Sequence, residues 1–152
     1  MAVDPSIDYL AYAEEHLYYE ARMFVSARSA VYEAFADPTA NTFHRNALLE
    51  VSVLHLRNLI LFFYPSQPKP SDVTAKHYVD SWNDQCPLPL DKARRRANKE
   101  LAHLTAERKA GTPPDKAWDF RDLSAELRKT VAGFIGSANG LPARTLAELR
   151  KI

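Results

Sequence analysis

The chain has 152 residues, a formal net charge of +1, and a composition of 46% hydrophobic and 26% charged residues. This size and balance are typical of one soluble globular domain, so we expect residues 1–152 to form a single domain. The near-neutral charge excludes nucleic-acid binding through overall charge, because any such site must come from local clustering. Only 4 glycines, with abundant Ala, Leu, Arg and Glu, favour helices over a turn-rich sheet protein.

One cysteine, Cys86, excludes an internal disulfide and fits a reducing compartment. It precedes Pro87 with no histidine beside it, so we interpret it as a loop or packing residue. The N-terminus lacks the basic-then-apolar order of a signal peptide, and no apolar stretch reaches about 18 residues without a charge. We therefore expect a cytoplasmic protein without a membrane segment.

The first predicted helix begins at Asp4-Pro5, a capping carboxylate followed by proline, and ends at Asp37-Pro38. Two positions of its apolar seam are charged, Glu14 and Arg28. The other seam residues follow helical spacing and are Ile7, Leu10, Leu17, Ala21, Phe24, Val31 and Phe35. Some 30 residues predict a rod roughly 45 Å long.

The second predicted helix begins between Thr39 and Thr42 and runs to Tyr64, where Pro65 stops it. Residues 47–63 are apolar on nearly every side, which is typical of the most buried helix of a protein. The run is interrupted by three polar residues, His55, Arg57 and Asn58. Because an unpaired buried charge is costly, we expect Arg57 to be paired or to reach a polar cleft.

The remaining chain contains three further helical patterns after a stiff linker at Pro65–Pro70. A short helix is predicted from Ser71 to Val79, where Ser71-Asp72 provides the cap. The later elements are a third long helix over Pro89–Lys109, a fourth over Asp119–Ala138 and a last short helix over Pro142–Arg150. The predicted fold class is all-α: a mainly antiparallel bundle of four long helices with one or two short extra helices.

The third helix carries an arginine and a histidine on one face. Arg96 and His103 are seven residues apart, which is about 20° short of two full turns. Histidine transfers protons near neutral pH and arginine grips phosphate with a planar fork, so the pair suits metal-free RNA cleavage. Arg95 and Asn98 border the same region. In the alternative interpretation, Arg96 pairs with Glu100 four residues on and His103 covers the edge of the core.

The polar residues of the second helix also allow two interpretations. Arg57 has Glu50 on its own face, and the charged seam residues Glu14 and Arg28 are other possible neighbours. The group either supports a binding cleft or forms a buried hydrogen-bond network that fixes the register of the helices. Both interpretations predict that Arg57→Ala destabilises the protein, but only the first predicts lost activity in a variant that still folds.

The spacing from Arg96 to His103, on the third long helix of an all-α bundle, resembles the HEPN superfamily (higher eukaryotes and prokaryotes nucleotide-binding domains). The resemblance covers roughly residues 7–138. It implies a metal-free ribonuclease of a toxin–antitoxin or phage-defence system, acting as a homodimer whose motifs meet across the interface. It further implies RNA or a nucleotide as ligand, an antitoxin-like protein as a possible partner, and no cofactor or metal.

The resemblance also assigns roles to residues of this chain. His103 becomes the acid/base group, Arg96 holds the scissile phosphate and Asn98 orients it. Apart from the resemblance, we expect Arg57, Asn58 and His55 of the second helix, with Arg95 beside Arg96, to support the cleft.

Two other functions remain open at this point. Some members of the superfamily are non-catalytic, so the chain is alternatively a helical interaction or scaffold protein with an exposed apolar patch. A third hypothesis is a metal-dependent bundle enzyme, since a bundle can gather side chains from several helices. The ligands in that case would be His16, His55 and His103 with Glu50.

Overall fold

The computed structural model describes residues 6–102 and 117–152, and these residues form five helices and no strand. The predicted all-α fold class is confirmed for this part of the chain. Helix α1 is continuous and has three segments: an α-helical turn at Tyr9–Tyr12, a π-helical turn at Ala13–Leu17 and an α-helix at Tyr18–Ala36. The others are α2 at Thr42–Phe63, α3 at Leu88–Ala97 continuing into a π-helical turn at Asn98–Ala102, α4 at Phe120–Ser137 and α5 at Ala143–Leu149.

Helix α1 begins later than the sequence predicts. Its cap is Asp8, whose carboxylate accepts hydrogen bonds from the backbone N–H groups of Leu10 and Ala11, each at 3.0 Å. An aspartate at this position satisfies amide groups that have no partner within the helix. The predicted cap, Asp4, lies outside the described residues.

The predicted seam of α1 is buried in its middle, and two of its apolar positions are exposed. Its buried members are Leu17, Ala21, Phe24 and Val31. Leu10 is 46% exposed and Phe35 is 54% exposed, so the prediction is wrong for these two residues. Leu10 precedes the π-helical turn, whose wider winding moves earlier residues out of phase with the seam. Phe35 lies near the end of the helix, beside the exposed turn to α2.

Helix α2 is closed at both ends by side chains. Asn41 Oδ1 accepts from the backbone N–H of His44 at 2.7 Å, as expected of an N-cap. At the other end, Trp82 Nε1 donates to the carbonyl of Phe63 at 2.8 Å. Arg94 Nη1 donates to the carbonyl of Tyr64 at 3.1 Å. These bonds satisfy the last carbonyl groups of α2 and attach the later chain to it.

Helix α2 runs antiparallel to both α1 and α3. Arg45, near the start of α2, donates from Nε to the carbonyl of Ala34, near the end of α1, at 3.0 Å. Farther along α2, Asn58 contacts Glu20 of α1. Helix α3 is antiparallel to α2 as well, because Arg94, earlier in α3, contacts the end of α2. Asn98, later in the chain, contacts Arg57 farther back along α2. The antiparallel prediction is therefore correct for these two helix pairs.

The buried apolar side chains form one cluster between the helices. Phe134 of α4 lies within an aromatic group with Phe62, Phe63, Tyr78 and Trp82, at ring-centroid distances of 5.3 to 6.0 Å. Each buried Phe contributes roughly 1.5–3 kcal/mol to folding through removal from water. Because Tyr78 and Trp82 belong to the connection between α2 and α3, this group attaches the connection to the core.

The connection after α2 differs from its prediction. The short helix expected from Ser71 to Val79 is only a 3₁₀ turn at Ala75–His77. Asp72 does not cap a helix, because its carboxylate turns back to accept from the backbone N–H of Lys69 at 2.8 Å. Thr74 has extended backbone angles, which delays any helical winding until Ala75.

The count of four long helices stays a prediction. Helices α1, α2 and α4 agree with their predicted ranges apart from boundary shifts. The third helix, expected over Pro89–Lys109, is described only as far as Ala102. Its α-helical part begins at Leu88 and ends at Ala97. Helix α5 matches the predicted last short helix.

Helix α2 is the one helix of the described residues that is long and apolar enough, by those two criteria, to cross a membrane. Within the fold, 44% of its most apolar window is buried. Core helices of soluble proteins meet the same criteria, and α2 also carries the polar residues His55, Arg57 and Asn58. Length and hydropathy alone therefore do not make α2 a membrane span.

Candidate functional site

A cleft lies where α1, α2 and the start of the π-helical turn after α3 meet, beside the connection that follows α2. It has a volume of about 580 Å³, within the usual range for small-molecule sites. Its polar wall is formed by Tyr12, His16, Glu20, Arg57, Asn58, Asp72 and Asn98, and by Ser and Thr residues of the connection. We call this space the Arg57 cleft.

The guanidinium of Arg57 is held by two amide oxygens. Its Nε donates to Asn98 Oδ1, and its Nη1 donates to Asn58 Oδ1 at 3.4 Å. Among the described residues, no carboxylate lies within ion-pair distance of Arg57. Amide oxygens orient the guanidinium without neutralising it, so its charge remains available to an anion in the cleft.

A second set of contacts ties the cleft wall to α1. One carboxylate oxygen of Glu20, Oε2, lies 2.7 Å from Nδ1 of His55. The same oxygen accepts from Nδ2 of Asn58 at 3.2 Å. His55 is only 6% exposed and stands behind the wall rather than in the cleft. A continuous chain of contacts thus runs from His55 through Glu20, Asn58 and Arg57 to Asn98.

Both π-helical turns of the described residues border this cleft. The turn at Ala13–Leu17 supplies His16, and the turn at Asn98–Ala102 begins with Asn98. A π-helical turn changes the direction of side chains relative to a regular helix and occurs frequently at functional sites. Two such turns at one cleft therefore mark it as the candidate functional site.

One end of the cleft is aromatic and acidic. The rings of Tyr12 and His16 lie 4.6 Å apart at their centroids. Partial burial raises the pKa of the Tyr12 hydroxyl above its usual value, and the carboxylates of Glu20 and Asp72 raise the pKa further. Tyr12 therefore stays protonated at neutral pH and is a hydrogen-bond donor rather than a base.

The structure separates Arg96 from this cleft. Its Nε donates to both carboxylate oxygens of Glu100, at 2.9 and 2.8 Å, and its Nη1 donates to the carbonyl of Ala117 at 2.8 Å. The guanidinium also lies 4.3 Å from the centroid of the Trp118 ring. Arg96 and Asn98 project to different sides because residues two apart on a helix differ by about 200°. The alternative interpretation is therefore correct in its first part, the pairing of Arg96 with Glu100.

The other predicted residues are distributed as follows. Arg57, Asn58 and Asn98 line one cleft, and His55 supports it through Glu20. Arg95 lies elsewhere, with a side chain that is 71% exposed and an Nε that is 2.8 Å from the carboxylate of Asp91. His103 lies outside the described residues, so the predicted sharing of one face by Arg96 and His103 stays a prediction.

A metal centre finds no counterpart in the part of the chain that the structure describes. No group of three or more His, Cys, Asp and Glu side chains there is arranged to hold a metal ion. Two of the residues suggested for such a centre are separated: His55 contacts Glu20, whereas Glu50 lines a smaller depression beside Arg96. His16 faces the Arg57 cleft.

Sequence reasoning missed Glu20, and it considered His16 only as a metal ligand. It considered Glu50, Glu14 and Arg28 as neighbours of Arg57, because these residues shared its helix face or lay on the predicted seam of α1. Glu20 belongs neither to the seam nor to the residues that share the helix face of Arg57, so the spacing did not point to it. A signal was present, since His16 and Glu20 are four residues apart and so follow one another along one side of a helix.

Comparison with known proteins gives no relative: no protein-family model matches the chain, and no curated protein or solved structure is significantly similar to it. The cleft and the spacing of Arg96 and His103 are therefore the features that bear on function.

Proposed function

We propose that the Arg57 cleft binds a phosphate group of RNA or of a nucleotide, and that the protein is an HEPN-like, metal-free endoribonuclease of a toxin–antitoxin or defence type. The observation that carries the proposal is the guanidinium of Arg57, which faces the cleft and is held by amide oxygens alone among the described residues. Anions bind strongly to such a fork, because the amides fix its direction without competing for its charge.

The proposal changes the role of one residue. Arg57, rather than Arg96, holds the scissile phosphate, because Arg96 is bound to Glu100 and stacked near Trp118. Asn98 and Asn58 are positioning residues that orient the guanidinium. His103 keeps the acid/base role that the resemblance implies. No cofactor takes part in this chemistry, and the protein acts in the cytoplasm as a homodimer.

The test is cleavage of mixed RNA by the purified full chain in excess chelator. We expect wild type to cleave and Arg57→Gln to lose about 10²–10³-fold in rate, as when one donor to a developing anion is removed. Arg95→Gln is the matched control, since Arg95 is exposed and lies outside the cleft. His103→Ala tests the role taken from the resemblance.

Circular dichroism and urea unfolding establish that each variant is folded before its rate is compared. Cleavage at the same rate by wild type and folded Arg57→Gln would contradict the proposal, as would a wild type that leaves RNA intact. Equal cleavage by wild type and His103→Ala would contradict the acid/base role that the resemblance implies for His103. It would not contradict phosphate binding by Arg57.

A second candidate function, a non-catalytic interaction protein, is favoured by the surface of α2. Phe43 is 82% exposed and Leu54 is 48% exposed. These residues are eleven positions apart, which places them within about 20° of one another around the helix. Exposed apolar side chains on one side of a helix suit a protein partner, such as an antitoxin-like protein or a second copy of this chain. Sedimentation measures the oligomeric state of wild type and of Phe43→Ser. A dimer that is lost in the variant would show that the chain pairs through this side of α2.

A further inference from the structure

The Arg57 cleft contains a histidine whose ring nitrogens make no hydrogen bond to the described residues. His16 lines the cleft from the π-helical turn of α1, and its ring contacts Tyr12. Within the described part of the chain, neither ring nitrogen of His16 has a hydrogen-bond partner. His55 and His77 differ in this respect, because they contact Glu20 and Thr74 respectively.

Other ionisable groups of the cleft are less suited to proton transfer near neutral pH. Arginine side chains in general do not act as proton donors or acceptors in proteins. Tyr12 also keeps its proton, because burial and two nearby carboxylates raise its pKa. Glu20 is bound to His55 and Asn58 through Oε2, and Asp72 accepts from the backbone N–H of Lys69. Histidine is the side chain that most readily gives and takes a proton at this pH.

Metal-free cleavage of RNA requires two proton movements. The 2′-hydroxyl loses its proton as its oxygen bonds to phosphorus, and the bond from phosphorus to the 5′-oxygen breaks as that oxygen gains a proton. The products are a 2′,3′-cyclic phosphate and a 5′-hydroxyl, so no oxidant, reductant or water is consumed. One acid/base residue is insufficient for both movements in a single step, and a second group must stand near the phosphate.

We propose that His16 is a catalytic proton-transfer residue of the Arg57 cleft, acting on the RNA phosphodiester that Arg57 holds; this inference rests on the proposed ribonuclease function. The placement of His16 supports it. Glu20, one helical turn farther along α1, contacts Asn58, which in turn contacts Arg57. His16 and Glu20 both line the cleft, so His16 stands on the same side of α1 as the wall that holds the phosphate.

The experiment compares His16→Ala with His44→Ala in the full chain. His44 is the matched control, because it is an exposed histidine that borders a different depression on the surface. Two quantities are measured: the rate of RNA cleavage in chelator, and the affinity for the same oligonucleotide with 2′-deoxyribose, which binds but lacks the attacking hydroxyl.

We expect His16→Ala to lose about 10²–10⁴-fold in rate, the usual contribution of a general acid or base. Its affinity for the deoxy oligonucleotide should stay within about twofold of wild type, and His44→Ala should match wild type in both quantities. This separation of rate from affinity distinguishes proton transfer from binding or from a merely structural role.

Three results would overturn the inference. A folded His16→Ala that cleaves like wild type shows that the imidazole transfers no proton. A parallel loss of affinity and rate makes His16 a binding residue. In both of these results the ribonuclease function survives, whereas a wild type that does not cleave RNA in chelator removes the proposed function and this inference together.

Discussion

At the scale of single residues, two arginines with the same chemistry have opposite surroundings. Arg57 donates to the neutral oxygens of Asn58 and Asn98 inside a cleft. Arg96 donates to the carboxylate of Glu100 and lies over Trp118. A carboxylate neutralises an arginine, whereas an amide leaves its charge available, so Arg57 is suited to ligand binding and Arg96 to structure.

This difference predicts that Arg96 contributes to stability and not to activity. Arg96→Ala removes a partly exposed ion pair and a cation–π contact, so we expect a loss of about 1–2 kcal/mol in the free energy of unfolding. RNA cleavage should stay at the wild-type rate. Urea unfolding and the cleavage assay measure the two effects.

Arg95→Ala is the control for this prediction, because the Arg95 side chain is 71% exposed and a surface change there should cost less than about 0.5 kcal/mol. A large loss of cleavage in folded Arg96→Ala would return the phosphate-holding role to Arg96.

At the scale of elements, a chain of polar contacts joins three helical segments. Glu20 belongs to α1, whereas His55, Arg57 and Asn58 belong to α2. Asn98 begins the π-helical turn after α3. Within the described residues, every buried polar side-chain atom has a hydrogen-bond partner. The network therefore fixes the relative positions of these helices and holds the cleft open at the same time, so the two interpretations of the polar residues on α2 are compatible.

Loss of the Glu20 carboxylate should weaken this network. In Glu20→Ala, buried His55 and the amide of Asn58 lose their common acceptor, so we expect a loss of about 1–3 kcal/mol in the free energy of unfolding. Activity should fall as well, because Asn58 helps to orient Arg57. Urea unfolding gives the first quantity and the cleavage assay the second.

The matched control is Glu15→Ala, which removes an exposed carboxylate from the π-helical turn of α1. It should change stability by less than about 0.5 kcal/mol. Similar losses in the Glu20 and Glu15 variants would show that net charge, rather than the contact with His55 and Asn58, carries the effect.

At the scale of the whole molecule, burial of ionisable groups makes stability sensitive to high pH. Partial burial raises the pKa of Tyr12, Tyr64 and Tyr78, and it raises the pKa of the Cys86 thiol to about 11. Each of these groups is neutral when protonated, so the folded protein disfavours its ionised form. The contribution to stability is complete below the ordinary pKa of each group and is lost as pH rises through the folded-state pKa.

We therefore expect the free energy of unfolding to fall by on the order of 1 kcal/mol or more between pH 8 and pH 10.5. Urea unfolding at a series of pH values measures this decrease. Cys86→Ala should show a smaller decrease, because the variant has no thiol to ionise in the unfolded chain. The same decrease in both proteins would show that Cys86 does not contribute.

The pattern of apolar residues was sufficient to predict helices α1, α2, α4 and α5. Most of their ends lie within a few residues of the predicted positions. Helical spacing, capping residues and prolines influence only neighbouring positions of the chain, so their effects on helix formation can be predicted from the sequence. The prediction was wrong for Leu10, for Phe35 and for the segment from Ser71 to Val79. A local detail intervened in each case: a π-helical turn for Leu10, the nearby helix end for Phe35, and the bond between Asp72 and Lys69 for the segment.

The candidate site was predictable only in part, because a cleft depends on which helix faces meet. The sequence alone shows that α2 carries polar residues within an apolar run. It also predicts that Arg57, as a charged residue in such a run, needs polar surroundings. Tertiary structure decided that these surroundings are Asn98 and Glu20, that Arg96 faces another side, and that His16 enters the same cleft. The physical reason is that the spacing of residues along one helix fixes only the direction of each side chain around that helix. Which side chains of different helices meet in one cleft depends on how α1 and α3 pack against α2.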